Sequence, residues 1–279
     1  MTPPLPPGLP ELSEAEAMYD GELAAPPGVR AALGMDAARI GGGVVLSVRD
    51  DPARYWSKAL GFGFEEPVTA DLIGEVCAFY RSRGTPLAVL QLAPSVLPED
   101  WSEICARENL SAGSAWVKLA CPTDEALARA AEPGRPAAGV RVAPVEARDA
   151  AEWGALMMRG FGMPEGHLAE MVAAGVGRPG WHPYGAWLDG ELVGTATMHV
   201  HGDAAQFLSA TTLPHARRRG GQSAFLAARA RAAAAAGCRW LVAETGAEAP
   251  GEHNSSLHNM RRAGFEVLYE RRNWVWQPA

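Results

Sequence analysis

The feature that most constrains this chain is a bend between a strand and a helix: Thr212-Leu213-Pro214-His215-Ala216-Arg217-Arg218-Arg219-Gly220-Gly221-Gln222-Ser223. The run 205–212 reads as a strand, and the alanine-rich run 222–236, stopped by Gly237, reads as a helix. Where a strand enters a helix through residues of little bulk, several backbone N–H groups converge on one point. The helix dipole adds about half a positive charge there. Two phosphates fit that concavity. Gly220 and Gly221 allow a close approach that a Cβ would block, and Arg217, Arg218 and Arg219 bring cationic side chains around it. Two other phosphate-binding bends are excluded, because the chain has neither GxGxxG after its first strand nor Gly-Lys-Ser or Gly-Lys-Thr.

Upstream of the bend, a stretch without periodicity, Glu132-Pro133-Gly134-Arg135-Pro136-Ala137-Ala138-Gly139, reads as a linker. It separates 1–133 from 140–279, with 134–139 as the connection itself. The second half predicts a strand at 140–145, helices at 150–158 and 165–173, and strands at 184–188 and 192–201 joined across the hairpin signal Asp189-Gly190. After the bend come a strand at 240–245, a short helix at 255–262 closed by Ala263-Gly264, and an antiparallel pair at 265–270 and 272–276. The first half predicts a strand at 41–48, a helix at 70–83 through Leu72, Ile73, Val76 and Phe79, a strand at 87–92, a helix at 99–107 and a strand at 115–120. This alternation favours a mixed α/β sandwich. The shared rhythm points to a duplication. Around Gly61-Phe62-Gly63-Phe64 the first half has no arginine-glycine turn, so it reads as a copy that has lost its phosphate site.

The bend resembles motif A of the GNAT N-acetyltransferases, V-x-P-x-x-[QR]-x-x-G-x-[GA], with Thr212, Pro214, Arg217 and Gly220 on that spacing and Gln222 departing from its last small residue. His253-Asn254-Ser255-Ser256-Leu257-His258-Asn259-Met260-Arg261-Arg262-Ala263-Gly264-Phe265 resembles motif B. The resemblance extends back to Val140 through the strand order. It implies an α/β (α+β) fold of two GNAT-like mixed-sheet domains, each a central, mostly antiparallel sheet flanked by helices, the first degenerate. It also implies acetyl-coenzyme A as cofactor, with its pyrophosphate on Arg217 to Ser223. The pantetheine arm would pair with the backbone of Thr211, Thr212 and Leu213, and the thioester would lie near Ser209 or Ala210, whose N–H groups can stabilise an oxyanion. Asn254 and Asn259 would either bond the pantetheine or cap the short helix. No metal is required.

Direct attack needs a neutral amine, hence a base, and the leaving thiolate needs an acid. Many relatives carry a tyrosine where this chain has Met260, so Tyr269, His253 and His258 are the nearby candidates for the acid. For the base, Glu244 falls near the end of its strand, and His199 and His201 share one strand face. Gln206 stands where some relatives place a glutamate, and an amide is no base. Each of these side chains also has an ordinary packing or surface explanation. Trp153, Phe161, Trp181, Tyr184 and Trp187 are candidate walls of an acceptor pocket, or core.

A net charge of -7 lacks the basic footprint of a nucleic-acid binder and suits a cationic small substrate. The opening run has neither a basic start nor an apolar stretch, no segment reaches the roughly 20 apolar residues of a membrane span, and Cys77, Cys105, Cys121 and Cys238 form no CxxC pair. The expectation is a cytoplasmic monomer or small homo-oligomer that acetylates a primary amine on a small molecule. A non-catalytic acyl-coenzyme A binding or sensing protein is the alternative, and a protein amine as acceptor is a third reading.

Overall fold

The computed structural model describes residues 4–131, 139–249 and 251–278, so the expected linker falls almost wholly outside them. The chain runs through α1 (Leu9–Leu23), α2 (Pro27–Leu33), β1 (Met35–Ile40), β2 (Gly43–Val48), β3 (Lys58–Leu60), α3 (Ala70–Arg83), β4 (Ala88–Gln91), α4 (Trp101–Glu108), β5 (Leu110–Pro122) and α5 (Thr123–Ala131). It continues with β6 (Val140–Pro144), α6 (Ala150–Gly160), α7 (His167–Ala173), β7 (Tyr184–Leu188), β8 (Glu191–His201), β9 (Ala204–Thr212), α8 (Gly221–Ala235), β10 (Trp240–Gly246), α9 (Ser255–Arg262) and β11 (Glu266–Trp276).

The mixed α/β class holds, and the two expected sheets run on into one. Eleven strands lie in the order β1-β2-β3-β4-β11-β5-β10-β9-β8-β7-β6. The halves trade strands at the centre: β11 lies between β4 and β5, while β5 pairs on its other edge with β10. The expected antiparallel pair at 265–276 is therefore a single strand. No turn residue interrupts Glu270-Arg271, and the strand passes two register irregularities while staying on β5.

Local signals explain most elements. Thr69 caps α3 by accepting from the Leu72 N–H at 3.2 Å, and Gly84 ends the helix in the left-handed conformation (φ 65). Asp189 and Gly190, at φ 52 and 89, make the tight turn between β7 and β8. Pleating then divides the core. On one face of the sheet Val45 and Ala59 pack with Ile73, Tyr80, Trp101 and Trp276, while Val44, Leu46 and Leu60 pack with Ala15 of α1. In the second half Phe207, Leu241 and Ala243 pack beneath Leu226 and Ala230 of α8.

Helix α1, not anticipated from the sequence, lies across the middle of the sheet and joins the halves. Its Ser13 Oγ donates to Gln206 Oε1 at 3.1 Å, and its Glu11 and Glu14 reach Arg271 and Lys118 on the central strands. Helices α2 and α5 and the short strands β1 and β3 were likewise not expected. Among the described residues no helix is long and apolar enough to cross a membrane.

Candidate active site

The parallel strands β9 and β10 pair only as far as Phe207 and Ala243. Beyond that point they splay. From Leu208 onward β9 pairs with β8 alone, and Glu244, Thr245 and Gly246 pair with β5 alone. A bulge marks the parting: the register passes from Thr195–Thr211 to Thr197–Leu208, which leaves Ser209 and Ala210 outside the ladder, with Ser209 at φ 53. Thr195 Oγ1 donates to the Ser209 carbonyl at 3.2 Å and fixes the bulge. A cavity of about 410 Å³ fills the splay, touching Leu208, Ser209 and Ala210 on one side and Glu244, Thr245 and Gly246 on the other. Its walls come from both halves, including Tyr55, Trp56 and Trp116 from the first and Met157, Met158 and Phe161 from the second. The buried Arg229 of α8 closes the floor. Its Nη1 donates to the Thr197 carbonyl at 3.1 Å, and burial lowers its pKa to about 9.

One end of the cleft meets the bend. Arg218 and Gly220 both take left-handed backbone, at φ 61 and 80, and Gly220 is an N-cap without a side chain to close it. The first N–H groups of α8 thus keep no side-chain partner at the cap. A Cβ on Gly221 would meet only Val140 Cγ1 at 3.7 Å, an ordinary contact, so the protein's own packing does not demand glycine there. These residues fit a diphosphate. Arg217, Arg218 and Arg219 are exposed, but Arg217 Nε donates back to the Thr212 carbonyl at 2.9 Å. Gln222 bonds Ser256 Oγ at 3.0 Å and accepts from Asn259, tying α8 to α9. Ser223 follows in the first turn of α8.

Glu244 is brought to the lip of the cleft by a buried charge cluster that the sequence did not reveal. Glu244 faces Lys118 in the β10–β5 register, with Nζ at 3.5 Å, and also accepts from Arg271 Nη2. Glu14 accepts from Lys118 and, at 2.8 Å, from Arg271, while Glu11 accepts from Arg271 and from Tyr269 Oη, the latter at 2.8 Å. Burial, and then the charge of Glu14, push the Glu244 carboxyl above the ordinary carboxylate range. The two cations hold Glu14 well below that range, despite its burial.

The other expected residues divide. Tyr269 does not line the cleft: its hydroxyl is spent on Glu11, and burial raises its pKa. His199 packs against Trp181, 4.7 Å between ring centroids, with Nε2 4.0 Å from Asp20, and burial lowers its pKa to about 4. It too lies outside the cleft lining. Asn254 takes the capping role, accepting from Ser256 and Leu257 N–H and donating to Thr245 Oγ1 and the Gly246 carbonyl at 2.9 and 2.7 Å. Asn259 is engaged with Gln222 and Arg262. Thr211 and Thr212 pair with Thr195 and Gly194 of β8, and the Leu213 N–H goes to the Val193 carbonyl at 2.9 Å. Met260 does line the cleft, where it offers no proton. His253 and His258 gather with Glu248, all three ligand atoms within 4.8 Å of one another, away from the cleft lining. Of the expected aromatic walls, Phe161 lines the cleft, Trp153 and Trp181 line a second pocket beside it, Tyr184 is core, and Trp187 stacks with Arg141 at 4.5 Å.

The splay between two parallel strands, the bulge on one of its lips and the glycine-capped helix that follows all belong to the second half, and over nearly its whole length the chain shares the GNAT fold of solved structures. Among solved structures it is similar to a GCN5-related N-acetyltransferase from Kribbella flavida, at 18% identity over 95% of each chain and a TM-score of 0.63. A tandem GNAT protein from the clavulanic acid biosynthesis pathway is similar over 100% of this chain and 90% of its own, at 16% identity and a TM-score of 0.61. A GCN5-related N-acetyltransferase from Sphaerobacter thermophilus matches at 15% identity over 99% and 95%, with a TM-score of 0.58. No family model and no curated protein matches the sequence.

Proposed function

We propose that the protein transfers an acetyl group from acetyl-coenzyme A to a primary amine of a small molecule by direct attack. The observation that carries this reading is the splay itself, an opened sheet with an unladdered bulge on one lip and a carboxyl of raised pKa on the other. In this reading the 140–279 half supplies the donor site and the 1–133 half is a degenerate copy that walls the acceptor side. The N–H groups at the start of α8 hold the pyrophosphate, with Arg218 and Arg219 nearby, and the free edge of β9 at 208–212 takes the pantetheine arm.

Ser209 and Ala210 offer the N–H groups for the negative charge that develops on the acyl oxygen. Glu244, as carboxylate, removes the proton that the attacking nitrogen sheds as the C–N bond forms and the C–S bond breaks. The thiolate takes its proton from solvent, since Met260 gives none. Glu14 is a positioning residue: beside burial, its charge raises the Glu244 carboxyl above the ordinary range and so makes it the stronger base. Calorimetry with coenzyme A and thiol release with a panel of amines test the two parts separately. Heat with coenzyme A but no thiol release above hydrolysis with any amine would leave the non-catalytic binding protein as the answer.

A further inference from the structure

Beside the cleft, beneath α1, lies a second pocket of about 60 Å³, and Met18, Trp56, Met157, Leu208 and Ser209 line both. The two spaces therefore meet at the bulge where the acyl group would sit. Three indoles, Trp56, Trp153 and Trp181, wall the smaller pocket. Three of its lining residues carry buried polar atoms without a hydrogen-bond partner: Glu22 Oε1, Thr197 Oγ1 and Trp56 Nε1. Glu22 is only 4% exposed, and no part of the acetyl-transfer machinery uses it. A buried carboxyl oxygen with no partner is costly, and a carboxyl group among aromatic faces is the arrangement that takes an ammonium from water. The neighbouring salt bridge is already complete, because Asp20 accepts from Arg178 at 2.9 Å and from Trp181 Nε1.

We propose that this pocket is an acceptor subsite for a second, positively charged nitrogen, so that the preferred substrate is an amine carrying another cationic group, seated among the three indoles against Glu22 and Thr197. This rests on the acetyltransferase reading and names its substrate class. Glu22 Oε1 and Thr197 Oγ1 accept from the distal ammonium while the near amine reaches Ser209. Burial pushes the Glu22 carboxyl well above the ordinary carboxylate range, with Lys58 pulling it down and Asp51 pushing it up. Entry of a cation favours the ionised form, so a proton held by Glu22 is expected to leave to solvent. A pocket of about 60 Å³ has room for roughly two waters, or for the ammonium end of a chain.

The test is calorimetry on the full chain with putrescine and cadaverine against butylamine and pentylamine. The diamines are expected to bind about tenfold or more tighter than the matched monoamines. Titration in two buffers of different ionisation enthalpy should report release of a proton with the diamines alone. Glu22→Gln should erase both the preference and the proton, and Thr197→Val should shrink the preference. Thermal melting checks each fold, and if Glu22→Gln melts early, Thr197→Val carries the comparison. Equal affinities in the wild type, a preference that survives in Glu22→Gln, or no binding of any amine overturns the subsite. A protein that releases thiol with monoamines and diamines alike keeps its function and loses the subsite. Diamine binding without heat from coenzyme A keeps the subsite and sinks the acetyltransferase.

Discussion

Two strand-to-helix bends occupy equivalent places in the two halves. The series β3-α3-β4-α4-β5 and β9-α8-β10-α9-β11 run in the same order, each around a parallel pair. At the first bend Thr69 caps the helix with its side chain, Asp71 stands second in the helix, and the Phe62 ring packs so tightly on Gly43 that a Cβ there would lie 2.7 Å from it. At the second, Gly220 caps with nothing, and Gln222 takes the position of Asp71. One residue past the last parallel pair stands Gln91 in the first half and Glu244 in the second. Gln91 Nε2 donates to Asn273 Oδ1 at 2.8 Å, whereas Glu244 faces Lys118 and Arg271. In the proposed reading, then, the first half lacks an anion site because of a cap and an acid, and lacks a proton acceptor because of one amide.

The largest break in this comparison is Glu244→Gln, which gives the second half the amide of the first. Amine acetylation should fall by roughly 10²–10⁴-fold while coenzyme A affinity holds. A steady-state rate close to wild type would remove Glu244 from the mechanism. Because burial raises this carboxyl and only its ionised form accepts a proton, the wild-type rate should climb with pH through a value above the ordinary carboxylate range. The variant should lose that limb.

Next comes Lys118→Met, expected to cost about 3–5 kcal/mol in denaturant unfolding because Glu14 and Glu244 lose a buried counter-ion. Its counterpart, Gln91→Met, should cost only about 1–3 kcal/mol for the hydrogen bond that Asn273 loses. Similar costs for the two would mean the charged cluster is no more than a polar core. Gln222→Asp transplants the acid of α3 into α8 and should weaken coenzyme A binding about tenfold, less at high salt. Unchanged affinity would dissociate the bend from the diphosphate. Smallest is Thr69→Ala, about 0.5–2 kcal/mol of stability with no change in coenzyme A binding.

What the sequence made legible was local. The bend, α3, α8, α9 and the Asp189-Gly190 hairpin depend on residues a few positions apart, and they lie close to where the pattern put them. The charge cluster is the opposite case, since Glu14, Lys118, Glu244 and Arg271 stand on α1, β5, β10 and β11 and meet only in the assembled sheet. One trace was readable: Glu11, Glu14, Met18 and Glu22 recur at helical spacing, an acidic stripe on the face that carries Ala15. Tyr269 lies near the motif B stretch in sequence, but the strand carries its hydroxyl to α1 instead of to the cleft. The cleft walls from Tyr55, Trp56 and Trp116 were unreadable for the same reason, because nothing nearby in the chain marks them as neighbours of Ser209.

The traded strands set a timetable for biosynthesis. When the first half leaves the ribosome, β4 and β5 have a gap between them that is filled by β11, residues 266–276, made after the rest of the second half, and Trp276 is fully buried in the first half's core. Until β11 is made, the facing edges of β4 and β5 stay open while the intervening residues 123–265 are synthesised, a delay that favours chaperone engagement over early closure. The first half thus closes only after the second half has been made through β11, so a ribosome that stalls before residue 266 releases a product that cannot close its sheet.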